Sequence, residues 1–178
     1  MKSNILKISA FALLLSLAFT ACKKDETTEQ EVITTVVARI FAADGSLDQS
    51  FEWNDLDGPG GNAPTIDNII LAANKTYNCT IEVYDRSTTP DRDITLEIDS
   101  EKAEHLFVYT PDGVNITVSS SDTDENGKPF DRVVVWQTGT ASVGSMTVVL
   151  KHEPDKDAAN PAQTGETDFE VAFPVRIQ

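Results

Sequence analysis

Cysteine, histidine and basic residues are scarce in this chain, and each scarcity narrows the reading. The 178 residues hold two cysteines and two histidines, so a disulfide-stapled scaffold is excluded. Lys and Arg total 14 against 29 Asp and Glu, a net charge of −15. Nucleic acid is thereby excluded as a partner, because phosphate binding needs a basic surface. Adhesion to anionic lipid through basic residues falls with it. The longest apolar stretch, residues 8–21, is interrupted only by Ser9, Ser16 and Thr20. It is shorter than the roughly 20 residues a membrane-spanning helix requires. No Gly-x-Ser-x-Gly, no His-Glu-x-x-His and no Gly-rich phosphate loop ahead of a helix occurs, so the common hydrolase, metalloprotease and nucleotide signatures are missing. The chain reads as non-enzymatic.

What stands at the start is an address. Lys2 and Lys7 precede the apolar stretch, which ends in Phe19-Thr20-Ala21-Cys22. A charged start, an apolar middle and a small-residue end make a secretory signal over 1–21. Small residues directly before Cys22 resemble the bacterial lipobox, in which the thiol is acylated with palmitate-type chains and becomes the new N-terminus. Two or more acyl chains give a stable anchor. Removing 1–21 takes away two of the 14 bases and none of the acids, leaving −17 on 157 residues. Residues 22–31 read as the lipidated cysteine and a polar tether. With Cys22 committed to lipid, Cys79 has no disulfide partner. It shares the parity of Tyr77, Ile81 and Val83, which predicts a buried small hydrophobe.

The remainder, 32–178, reads as one all-β domain. Strict period-two alternation marks 114–118 and 169–177, residues 94–99 alternate as well, and a looser version marks 146–151. Runs rich in β-branched and aromatic residues add strands at 31–41, 48–53, 76–84, 105–110 and 131–137. Turn signals separate them at Asp44-Gly45, Asp112-Gly113 and Asn126-Gly127. One helical turn is expected over 100–104 with Ser100 as its cap. Pro174 inside the last strand predicts a sheet edge or a bulge. About eight or nine short strands at this spacing indicate an antiparallel, immunoglobulin-like β-sandwich; a closed barrel is the alternative.

Three places carry candidate chemistry. Asp122-Thr123-Asp124-Glu125-Asn126-Gly127 matches the first six positions of a helix–loop–helix calcium loop. Position twelve is Val133 where that loop needs a bidentate Glu, and Asp131 lies two places earlier. A plain hairpin turn closed by Asn126-Gly127 is the competing reading. The Gly-rich segment around Asp55 and Asp57 offers a second calcium candidate, against a simple strand connection. The third place holds the two histidines. His105 follows Glu104 and His152 precedes Glu153, each at a strand end with its parity on the inner face. With Asp168 they could make a zinc-type site, provided the imidazoles lie within about 10 Å of each other, given Zn–N bonds near 2 Å. Calcium or zinc are the cofactors these patterns allow.

Several segments together carry a family resemblance. They are the lipobox at Cys22, Asp55-Leu56-Asp57-Gly58-Pro59-Gly60-Gly61-Asn62-Ala63-Pro64, Leu71-Ala72-Ala73-Asn74-Lys75-Thr76-Tyr77, Glu104-His105, Leu150-Lys151-His152-Glu153-Pro154-Asp155-Lys156-Asp157-Ala158 and Gly165-Glu166-Thr167-Asp168-Phe169-Glu170-Val171. The chain resembles small Bacteroidota lipoproteins, many labelled with a type 1 periplasmic-binding name. That label describes two α/β lobes, which a chain this short without βαβ alternation does not supply. Lys23-Lys24-Asp25-Glu26 also resembles the signal that sends such lipoproteins to the outer face of the outer membrane. The resemblance implies an accessory binding or partner module, lipid-anchored in the outer membrane beside a TonB-dependent receptor. It implies no catalytic residue. A metal-capture lipoprotein using His105 and His152 is the alternative function.

Overall fold

A computed structural model describes residues 32–178; the expected signal, lipidated Cys22 and tether lie outside them. Alternating burial builds two sheets packed face to face. The larger runs β3-β2-β1-β5-β9-β8, with short β6 added beside β5. Its members are β1 (Thr35–Phe41), β2 (Asp48–Asn54), β3 (Thr65–Ile66), β5 (Thr76–Asp85), β6 (Arg92–Asp93), β8 (Ile116–Ser120) and β9 (Val133–Thr138). The smaller sheet runs β4-β11-β10-β7, from β4 (Ile69–Leu71), β11 (Glu166–Ile177), β10 (Ser142–His152) and β7 (His105–Asp112). All pairs are antiparallel except β4 with β11. The expected all-β sandwich is what forms, with eleven strands where the sequence pattern gave eight or nine. The three extra ones, β3, β4 and β6, span two or three residues, too few to show a period. Among the described residues no helix is long and apolar enough to cross a membrane.

In β5 and β11 every second residue is buried: Tyr77, Cys79, Ile81 and Val83 in one, Phe169 through Ile177 in the other. Between the sheets Phe107 packs edge-on against Phe130 and Phe169, with centroids 5.6 and 6.3 Å apart. Burial pushes the Cys79 thiol far above its usual range, so it stays protonated and unreactive. β7 is an edge strand, and its outward groups are managed. The Phe107 N–H donates to the Phe130 carbonyl at 2.9 Å, and Pro111, of the same parity, has no N–H to offer.

Two expectations fail locally. Residues 94–98 do not form a strand; Thr95–Ser100 is a short helix, α1. Ile94 and Ile98 are fully buried while Leu96 is 69% exposed, the i, i+4 spacing of a helix face. The Asp93 carboxylate accepts from the Thr95 N–H, and the Thr95 hydroxyl bonds both backbone groups of Val83. These bonds turn the chain off the edge of β5. Ser100 is not a cap for the next turn. Its hydroxyl donates back to the Glu97 carbonyl, and a 3-10 turn forms at Lys102–Glu104. Pro174 stands opposite Ser145 on β10, one residue before β4 covers the other flank from Val175. Its missing N–H therefore falls where β11 is still an edge.

The helix reading separates two substitutions that a strand would equate. Ile98→Ala is expected to cost about 2–5 kcal/mol, and Leu96→Ala less than about 0.5 kcal/mol. Urea denaturation measures both, and equal losses would contradict the helix.

Candidate metal centre

The site forms at one end of the smaller sheet, where β7 begins and β10 ends. The two strands pair so that His152 faces His105 directly. Both histidines continue the inner-face parity of Phe107 and Leu150, which are themselves cross-strand partners. The imidazoles therefore close the end of the core. Their rings stack with centroids 4.9 Å apart and planes 8° from parallel. This lies well inside the separation that a shared site requires.

Asp168 reaches the pair through a break in register. Leu150 pairs with Phe169, but Lys151 pairs with Thr167. Asp168 is the extra residue of a β-bulge, which bends the strand and re-aims the side chain. Its carboxylate oxygens lie 3.7 Å from His105 Nε2 and 3.7 Å from His152 Nδ1. That is too long for a hydrogen bond. It is near the roughly 3.4 Å that separates two donors on one tetrahedral zinc with bonds of 2.0–2.1 Å.

The orientation of His105 is set from behind. Its Nδ1 lies 3.0 Å from the Glu101 carbonyl. A carbonyl only accepts, so Nδ1 carries a proton and the neutral ring turns its Nε2 lone pair toward Asp168. Burial pushes His105 below the usual imidazole range, against the Glu101 carbonyl and the Asp168 carboxylate, which pull it up. Burial likewise pushes the Asp168 carboxyl up, against the two imidazoles, which pull it down. Both directions mean that the pocket is too dry to hold the charged forms well.

Glu104 and Glu153 sit at the rim. Together with His152 they form a second group whose donor atoms lie within 4.8 Å of one another. The Glu153 N–H donates to the Glu104 carbonyl at 2.6 Å, which holds the two strand ends together. Glu153 takes a left-handed φ of +48° as the chain leaves β10. Across from it Gly165 has φ +69°, and a Cβ there would stand 2.2 Å from the His152 carbonyl. Only glycine allows the returning chain this close to the histidine.

The calcium candidates are placed differently. Asp124 has both carboxylate oxygens occupied, one inside its own turn and one by a distant lysine. One accepts the N–H groups of Asn126 and Lys128, the other the Lys156 ammonium at 3.0 Å. The Gly127 N–H closes the turn on the Asp124 carbonyl, which is the hairpin reading of this segment. The Asn126 side chain is exposed. Asp122 and Asp131 each keep one buried carboxylate oxygen without a hydrogen bond, and burial pushes both carboxyls up. Asp57 accepts two bonds from Asn62 and holds the Gly-rich loop, while Asp55 keeps one unpaired buried oxygen. Among the described residues, only His105–His152–Asp168 and Glu104–His152–Glu153 gather three donors that could share an ion.

Lys156 carried no signal in the sequence, standing among acids in a long connection. Its ammonium also donates to the Lys102 carbonyl at 2.6 Å, tying the β10–β11 connection to the 3-10 turn beside His105. The side chains of Lys156 and Asp124 are 7% and 1% exposed. Burial raises the Asp124 carboxyl, but the Lys128 N–H, the Lys156 ammonium and the Asn126 N–H together leave it below the usual range. A depressed carboxyl stabilises fully above its unfolded value near 3.9 and less as pH falls through its folded value. Lys156→Met is thus expected to cost about 3–5 kcal/mol at pH 7 by leaving a buried charge unpaired. The gap to the unaltered protein should narrow below about pH 4. Denaturant unfolding at pH 7 and pH 3 measures it, and a gap that widens in acid would contradict the pairing.

Compared with protein-family models, with curated proteins and with solved structures, the chain matches none.

Proposed function

We propose that this protein is a metal-capture lipoprotein of the cell envelope, taking one divalent transition ion between His105, His152 and Asp168. One observation carries the reading: two imidazoles on paired strands and a carboxylate on a bulge converge at 3.7 Å without hydrogen-bonding one another. A cation in that space would supply the counter-charge the three groups lack.

The donor types favour the ion class. Two imidazole nitrogens and one carboxylate suit zinc or copper(II), whereas calcium wants six to eight oxygens. Three protein ligands leave a fourth tetrahedral position for water or for a ligand from elsewhere. An acidic chain of net charge −15 raises the local concentration of cations. The lipobox at Cys22 supports an anchor in the outer membrane. The resemblance to Bacteroidota lipoproteins supports a TonB-dependent receptor as the neighbour. Tethering beside such a channel would raise the effective concentration of the captured ion.

Zinc titration of the chelator-stripped protein is expected to give one tight equivalent per chain. His105→Ala and His152→Ala should each weaken it at least about 100-fold, in line with loss of a metal ligand, while calcium should leave the unfolding temperature unchanged. Zinc affinity indifferent to both substitutions would overturn the assignment. For the anchor, cells fed labelled palmitate should label the protein, and Cys22→Ser should abolish the label; a labelled Cys22→Ser protein would contradict lipidation at that sulfur.

A further inference from the structure

Resting on that reading, we infer that Glu104 and Glu153 form the entrance to the metal centre, with His152 as the ligand that passes an ion from the rim to the inner set. The three inner side chains are largely covered. The His105 side chain is 4% exposed and that of Asp168 is 11% exposed. His152, at 20%, is the most open of the three. The flank of His152 is thus the least covered approach to the inner set. That flank is where Glu104 and Glu153 stand.

The arrangement of these glutamates has no evident packing purpose. They stand beside the paired histidines, with their backbones hydrogen-bonded to each other. Like charges brought together across strand ends destabilise a sheet. Neither has an ion-pair partner among the described residues. Both are exposed, yet each places a carboxylate oxygen within 4.8 Å of a His152 ring nitrogen. One imidazole thus belongs to two donor groups, an outer one facing water and an inner one facing the core. A hydrated divalent cation would lose water stepwise: first to two carboxylates and His152, then to Asp168 and His105. Exposed carboxylates also steer cations by a field that salt screens.

The test is the rate of zinc uptake by the chelator-stripped full-length protein in mild detergent, followed by stopped-flow competition with a chromophoric zinc chelator. The variant is Glu104→Gln with Glu153→Gln, which keeps the side-chain volumes and, at exposed positions, leaves the fold intact. We expect the association rate to fall about tenfold or more and its dependence on salt to flatten, with release no faster than in the unaltered protein. Uptake by the variant at the unaltered rate would overturn the entrance. So would a loss of affinity arising wholly from faster release, because the glutamates would then be ligands of the resting site. If the unaltered protein takes up no zinc, the inner site fails first. If it takes up zinc and the variant matches it, the entrance alone fails.

Discussion

The register of β10 against its two neighbours decides what this end of the sandwich can do. On one side it sets His152 opposite His105; on the other it skips a residue and leaves Asp168 in a bulge. Side chains in a strand alternate faces, so a slip of β10 by one residue would send the His152 imidazole to the opposite side of the sheet, away from His105. The register is pinned by the core itself. Phe107, Leu150 and Phe169 lie on three adjacent strands in one row and are all buried. The row beyond them holds the site. Hydrophobic burial therefore aligns the candidate ligands, and the Glu101 carbonyl at the end of α1 orients one of them.

The same burial that aligns these groups makes them uncomfortable without a cation. A carboxylate and an imidazole taken from water lose solvation that a contact at 3.7 Å does not return. The connection from Glu153 to Gly165 closes over them. It is held by the Lys156 ammonium, by the Glu153–Glu104 backbone bond and by the glycine that fits against the His152 carbonyl. Pre-organisation of this kind lets an ion bind without first ordering a loop. Glu104 and Glu153 stand exposed beside His152, the most open of the three side chains.

Much of this was legible in the residues, because period two survives wherever a strand has one wet face. β8, β10 and β11 announced themselves in that way, and β5 and β9 by their β-branched and aromatic content. Residues 94–98 did not, since Ile94, Leu96 and Ile98 satisfy period two while Ile94 and Ile98 alone satisfy i, i+4. The Asp93 carboxylate that starts the helix was the available clue. Strands of two residues have no period to read. At the site, Glu104, His105, His152, Glu153 and Asp168 were nameable from chemistry and strand-end position. That Asp168 would be turned inward was not, because a bulge changes register without changing composition. The calcium pattern at Asp122, Asp124, Asn126 and Asp131 was legible as oxygen-rich sequence. The tertiary contact with Lys156, 32 residues away in the chain, was invisible there.

Two histidines and one aspartate sharing one ion would leave a distinct coordination signature. X-ray absorption at the zinc edge of the loaded protein measures the ligands directly. The account predicts two imidazole nitrogens near 2.0–2.1 Å, one or two oxygens and no sulfur in the first shell. A shell of oxygens alone, without the outer-ring scattering of imidazole, would contradict it.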